Sequence, residues 1–81
     1  MFRTMEKRRR EAQVAAERFN AQHPAGTAVR YWTGVVEGEG RLGKTRSEAY
    51  VMGGHTAVVA LEGLAGVISL SHVQPVEPVA A

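Results

Sequence analysis

The spacing of apolar residues divides the chain into two segments with different periods. In the first segment the apolar positions recur three and four residues apart, at Ala12, Ala15, Ala16 and Phe19. This spacing is typical of an amphipathic α-helix. Thr4 can cap such a helix and Pro24 prevents its continuation. We therefore predict one helix from about Met5 to Gln22, with its C-terminal half docked on a core through Phe19.

From Gly26 onward the pattern changes to a period of two, interrupted by glycines, which indicates short strands and turns. The predicted strands are Ala28–Thr33, Thr45–Met52, His55–Glu62, Val67–Leu70 and a short terminal strand near Pro75. Gly34–Gly43 is predicted to be a long, open hairpin loop, and Ser71–Val73 a single turn. Five short strands with one long early loop are typical of a small barrel.

The expected fold class is therefore mainly β with one N-terminal α-helix, the β part being a small SH3-like antiparallel β-barrel. Residues 1–25 would form a basic amphipathic helix and residues 26–81 the barrel, together one structural domain. With 81 residues and no cysteine, the chain is close to the size at which an unaided core is only just stable. This size favours a homo-oligomer.

The amino-acid composition argues against several classes of function, namely metal-dependent and nucleophilic enzymes and membrane proteins. Aspartate is absent, which disfavours hydrolases that gather several carboxylates around a metal ion. The three scattered histidines make a poor metal set, and no Ser–His–Asp arrangement is possible. The sequence therefore predicts no enzyme, no cofactor and no metal. No apolar run is long enough to span a membrane, and the start of the chain lacks the apolar core of a signal peptide, so a cytoplasmic location is expected.

Positive charge is unevenly distributed. Five of the ten basic residues lie in the first ten positions: Arg3, Lys7, Arg8, Arg9 and Arg10. A second cluster contains Arg41, Lys44 and Arg46. Such asymmetry suits an anionic partner, namely nucleic acid, a nucleotide or an acidic protein surface. The alternative is a solvated helix end and hairpin tip that only aid solubility.

The second basic cluster overlaps a formal match to the phosphate-binding pattern G-x-x-x-x-G-K-T, Gly38 to Thr45. A functional loop of that type needs a helix directly after it, whose N-terminus holds the phosphates. Here the sequence after Thr45 alternates like a strand, so we predict only a glycine-rich basic hairpin. Arg41, Lys44, Thr45 and Arg46 are its candidate anion contacts.

Three further candidates lie outside this hairpin. His55 and Thr56 follow the Gly53-Gly54 turn, and His55 either contacts a ligand or caps the turn. Trp32 lies on the opposite side of its strand from Tyr31 and shares that side with Arg30. Trp32 is therefore a stacking platform for a base, a protein contact or a residue covered by the helix through Phe19.

The stretch from Thr45-Arg46-Ser47-Glu48-Ala49 through Gly53-Gly54-His55-Thr56 to His72-Val73 resembles short phage- and prophage-encoded proteins of SH3-like fold. The resemblance covers roughly the last fifty-five residues. The resemblance itself implies only a phage origin. Together with the small size, the lack of a catalytic set and the uneven basic charge, it leads us to expect a phage accessory protein that inhibits a host defence system, by binding a host defence protein complex or by sequestering an anionic nucleotide signal. Arg41, Lys44, Thr45, Arg46, His55, Thr56 and Trp32 would contact that partner. The alternatives are a nucleic-acid-binding protein that uses the basic helix and hairpin, and a structural virion or scaffold protein.

Overall fold

A computed structural model describes the backbone of residues 2–76 and the side chains of residues 6–76. The elements are α1 (Phe2–Gln22), β1 (Ala28–Tyr31), β2 (Arg41–Lys44), β3 (Tyr50–Met52), β4 (Thr56–Ala60), β5 (Val67–Ser69), a 3-10 turn (Leu70–His72) and β6 (Val73–Pro75). Residues 77–81, the end of the predicted β segment, and the side chains of Arg3 and Met5 lie outside the described residues.

Helix α1 begins three residues earlier than predicted. Thr4 lies inside it, so the prediction that Thr4 is the N-cap is wrong. The residues around Thr4 are Met, Glu, Lys and Arg, which favour helix, and no Gly or Pro stops it there. The predicted end at Gln22 is confirmed. The helix ends where His23 N–H donates to the Phe19 carbonyl at 2.7 Å, because Pro24 has no N–H to continue the ladder.

The strands form two three-stranded antiparallel sheets, in the orders β2-β1-β6 and β3-β4-β5. The sheets meet at one bridge between Thr45 and Leu61. Two backbone hydrogen bonds flank it, from Arg46 N–H to the Ala60 carbonyl at 2.9 Å and from Glu62 N–H to the Lys44 carbonyl at 2.8 Å. The predicted mainly β fold with one N-terminal helix is therefore confirmed.

The boundaries of the second predicted strand are wrong. The first three residues of strand β2 (Arg41–Lys44) lie inside the predicted open loop. Ser47 to Ala49 are irregular, and only β3 remains of the predicted Thr45–Met52 strand. Glycine explains the error, since it has low strand propensity yet packs closely against the neighbouring strand at position 43. A Cβ atom there would lie 2.9 Å from Cε1 of Tyr31 on the neighbouring strand.

One core lies between the two sheets and α1. Its buried residues are Ala12, Ala16, Val29, Ala49, Ala57, Val59, Leu61 and Ile68. The helix packs on β3 and β4, where the small side chains of Ala12 and Ala16 permit close approach. Phe19 is half-buried against the same core, as the sequence predicted. No helix in the described part of the chain combines the length and apolar character of a membrane span.

Candidate anion-binding site

The basic N-terminal half of α1 lies against the turn between β3 and β4. Arg8 and Arg9 precede the buried Ala12 by four and three residues, so they lie on the side of the helix that faces the sheets. We use the name helix–hairpin cleft for the space lined by Arg8, Arg9, Gly53, Gly54 and His55, which measures about 120 Å³. Folding thus brings together two candidate segments that are more than forty residues apart in the sequence.

Backbone geometry of the turn shapes this cleft. Gly53 and Gly54 have φ angles of 65° and 80°, a region that non-glycine residues rarely adopt. Arg9 Nε donates to the Gly54 carbonyl at 3.4 Å. Nδ1 of His55 lies 2.9 Å from the Gly53 carbonyl oxygen, and since a carbonyl only accepts, Nδ1 carries the proton. His55 therefore caps the turn, which was one of its two predicted roles, and its ring lines the cleft.

The positive charge of the cleft is not compensated by its own lining, which contains no carboxylate. Within residues 6–76 the one salt bridge joins Lys7 and Glu11 at 4.0 Å, and both side chains are mostly exposed. Arg10 lies instead on the outer face of α1, beside Val14 and Arg18. Of the four predicted helix contacts, Arg8 and Arg9 belong to the cleft, and Lys7 and Arg10 do not line it.

A wider groove adjoins the cleft and shares Arg8 and His55 with it. It runs between α1 and the ends of β4 and β5 and measures about 290 Å³. Its other lining residues are Glu11, Ala12, Ala15, Thr56, Ala57, Ser69, Leu70 and Ser71. The predicted contact residue Thr56 therefore lies in this groove, whose walls include apolar side chains and one carboxylate.

The second basic cluster does not form one surface. Arg41 alternates with Leu42 along β2, so Arg41 and Lys44 point to opposite sides of the sheet. Arg46 is exposed, but its Nε donates to the Leu61 carbonyl at 3.1 Å, beside the bridge that joins the sheets. Strand alternation therefore separates the side chains of Arg41 and Lys44, and anion binding by this hairpin stays a prediction.

Thr45 is part of the core rather than the surface. Its side chain is fully buried, with 0% exposure. The hydroxyl oxygen accepts from Gly26 N–H and Thr27 N–H, both at 3.1 Å, and lies 3.4 Å from the Pro24 carbonyl. A side chain enclosed in this way cannot touch a partner, so Thr45 is removed from the candidate contacts. After Thr45 the chain forms an irregular segment and then β3, not the helix that a phosphate-binding loop requires.

Trp32 lies on the outer side of the first sheet, just beyond the end of β1. Its backbone N–H donates to the His72 carbonyl at 3.0 Å. This hydrogen bond continues the β1–β6 ladder by one residue and pairs the last carbonyl of the 3-10 turn. The half-exposed indole lies over Gly40, where a Cβ atom would be only 2.6 Å from Cε2 of Trp32. The alternative in which α1 covers Trp32 through Phe19 is wrong, because the indole packs on the 32–40 loop.

On β1 and β2, the side chains that alternate with core residues point to the outer side of the first sheet. Val29 and Tyr31 face the core, so Arg30 faces outward, as do Leu42 and Lys44 on the neighbouring strand. We call Arg30, Trp32, Leu42 and Lys44 the Trp32 face. Leu42, which was not among the candidates, is 67% exposed. Placing it in a strand rather than a loop would have identified it, since its register partner is Arg30.

Comparisons of the chain with protein-family models, curated proteins and solved structures gave no match. Within the described residues, no group of three or more histidine and glutamate side chains is arranged to hold a metal ion.

Proposed function

We propose that this chain is a non-catalytic nucleic-acid-binding protein whose helix–hairpin cleft binds backbone phosphates. The observation that carries the proposal is the convergence of Arg8 and Arg9 with the β3–β4 turn on a cleft that contains no carboxylate. Guanidinium groups match phosphate oxygens in geometry and charge. Most protein–DNA hydrogen bonds go to the sugar–phosphate backbone, so two converging arginines supply the usual kind of positioning contact.

The distribution of charge between the elements supports the same proposal. Residues 2–22 contain six of the ten basic residues and three of the eight acidic ones. The helix therefore has a formal charge of +3, and the remainder of the chain has −1. An approaching polyanion is attracted to the helix side of the molecule rather than to the protein as a whole.

For the scaffold we propose an SH3-like barrel with α1 packed on β3 and β4. The support comes from the pairing of the last strand, β6, with β1, from the 3-10 turn before it, and from the Thr45–Leu61 bridge between the sheets. In such a scaffold the β3–β4 turn is a rigid support against which the arginines of α1 are held.

The test compares two double variants that remove equal charge from the same helix. Arg8→Ala with Arg9→Ala removes the guanidinium groups of the cleft. Arg10→Ala with Arg18→Ala removes two from the outer face and is the matched control. Fluorescence anisotropy with labelled duplex and single-stranded oligonucleotides at low salt measures affinity. We expect the cleft variant to lose on the order of 10- to 100-fold, since two charge-assisted contacts disappear, and the control to lose much less.

Two results would contradict the proposal. One is the absence of any binding to either oligonucleotide by the unchanged protein at low salt. The other is an equal loss in the two double variants, which would mean that overall charge matters and that the cleft does not. Circular dichroism establishes that both variants remain folded before affinities are compared.

A second candidate function is capture of a small anionic nucleotide, as expected for a phage accessory protein that opposes host defence signalling. The adjoining groove favours it, because a ligand whose phosphate contacts Arg8 would place its base beside Ala12, Ala15 and Leu70. Calorimetry with cyclic nucleotides and with inorganic phosphate tests this candidate. Binding of the nucleotides that is abolished in Ala15→Tyr would support it, and equal binding of phosphate alone would contradict it.

A further inference from the structure

We propose that the Trp32 face is a second contact surface, on which an unpaired base of a single-stranded nucleic acid stacks against Trp32. This inference rests on the proposed function and names its substrate class, since base pairs in a duplex do not offer a free face for stacking. The surface belongs to the first sheet and is separate from the helix–hairpin cleft, which involves α1 and the turn of the second sheet.

The indole is fixed in place by the 32–40 loop. Its Nε1 donates to the Glu37 carbonyl at 3.1 Å, and the ring lies over Gly40, whose φ of 69° and missing side chain leave room for it. The polar edge of the ring is therefore already satisfied within the protein. What a half-exposed indole with a satisfied N–H still offers to a ligand is its aromatic face.

Arg30 is held beside Trp32 by the same loop. Its Nη1 donates to the Glu39 carbonyl at 3.2 Å, and its position two residues before Trp32 places both side chains on one side of the sheet. An arginine has five N–H donors, and this bond uses one of them. The others remain available for a phosphate next to the stacked base.

The rest of the face agrees with a nucleic-acid strand. Lys44 lies on the outer side of β2, diagonal to Arg30, and Leu42 lies between them as an exposed apolar contact. Within the described strands no carboxylate points to this side of the sheet, where Ala28 and Gln74 are the other outward residues. Cations interleaved with an aromatic ring are the combination found in grooves for single strands.

The experiment uses the fact that Trp32 is the sole tryptophan of the chain. Its fluorescence is followed while the protein is titrated with an oligothymidine of about fifteen nucleotides, a length within the range of single-strand sites. A duplex of the same length is the comparison. We expect quenching by the single strand and much less change with the duplex, because only unpaired bases can stack on the ring.

Variants then separate stacking from other effects. Trp32→Leu is expected to weaken single-strand binding about 5- to 100-fold, as removal of a stacking aromatic does, with little effect on duplex binding. Trp32→Phe keeps an aromatic face and is expected to retain most of the affinity. Tyr50→Leu, which removes a more exposed aromatic residue from β3, is the matched control and should bind like the unchanged protein. Anisotropy of a labelled oligonucleotide measures all four proteins.

The outcomes distinguish this inference from the proposed function. If single strand and duplex bind equally and Trp32→Leu has no effect, the stacking surface is overturned while phosphate binding by the cleft stands. If neither oligonucleotide binds, the proposed function is contradicted, and the stacking inference, which rests on it, is contradicted as well. If tryptophan fluorescence changes only with protein concentration, the Trp32 face contacts a second copy of the chain and the inference is wrong.

Discussion

The hydroxyl of Thr45 shows how one residue can hold two distant segments together. Its oxygen accepts hydrogen bonds from the backbone N–H groups of Gly26 and Thr27, which lead from α1 into β1. Thr45 itself directly follows β2 and forms the bridge to Leu61. A buried hydroxyl with these partners stabilises the junction of helix, first sheet and second sheet.

Replacement of Thr45 by valine tests this structural role. Valine has nearly the same shape but cannot accept a hydrogen bond, so we expect a loss of about 1–2 kcal/mol in the free energy of unfolding. Thr33→Val, at an exposed loop position, should change stability by less than about 0.5 kcal/mol. Urea unfolding measures both variants. Oligonucleotide affinity should remain unchanged in folded Thr45→Val, and a selective loss of affinity would restore Thr45 as a contact residue.

The sequence suggested a surface role for Thr45 because of its position after Gly43-Lys44, in a pattern associated with phosphate binding. Nothing local distinguishes a buried threonine from a phosphate-binding one. The difference depends on Gly26 and Thr27, whose N–H groups reach the hydroxyl only after folding. By contrast, the role of the Gly53-Gly54 turn was predictable, because paired glycines favour a turn on local conformational grounds alone.

At the scale of elements, α1 is joined to the β segment by a polar contact as well as by its apolar face. Asn20, in the last turn of α1, donates from Nδ2 to the Ala49 carbonyl at 2.9 Å and accepts from Ala49 N–H at 2.7 Å. Ala49 is buried and lies in the irregular segment before β3. This pair of bonds fixes how α1 lies along the second sheet, and therefore where Arg8 and Arg9 meet the β3–β4 turn.

Asn20→Ala should consequently destabilise the protein by about 2–3 kcal/mol, since it leaves both backbone groups of Ala49 without their partner. Gln13→Ala, on an exposed part of the same helix, is the matched control. Thermal and urea unfolding followed by circular dichroism measure the difference. If Asn20→Ala and Gln13→Ala unfold alike, the contact with Ala49 does not hold α1 in place.

The helix itself was predictable because its period persists for several turns, whereas the contact through Asn20 was not. An asparagine four residues after the buried Ala16 and next to Phe19 is equally compatible with a solvated last turn. Strand β2 was missed for a related reason: its residues Gly43 and Lys44 have low intrinsic strand propensity, and pairing with β1 overrides it. Sequence patterns therefore predicted α1, whose periodicity persists for several turns, and missed β2 and the Asn20 contact, which depend on a neighbouring segment.

At the scale of the whole molecule, nucleic-acid binding depends on the distribution of charge: α1 is positively charged and the remainder of the chain is close to neutral. The described residues extend over 48 × 26 × 21 Å, and a helix of twenty-one residues accounts for much of the long dimension. Phosphate contacts made by such a helix release condensed counterions, so affinity falls with rising salt in proportion to the number of phosphates contacted.

The salt dependence of affinity distinguishes direct phosphate contacts in the cleft from attraction by the net charge of α1. The slope of log affinity against log salt for a duplex should become shallower by about 1.8 in the Arg8→Ala, Arg9→Ala variant, since about 0.9 is lost for each phosphate no longer contacted. The Arg10→Ala, Arg18→Ala control has the same net charge and should retain nearly the original slope. Anisotropy titrations across a series of salt concentrations measure both slopes. Equal slopes in the two variants would mean that the cleft makes no direct phosphate contacts and that α1 attracts nucleic acid only through its overall charge.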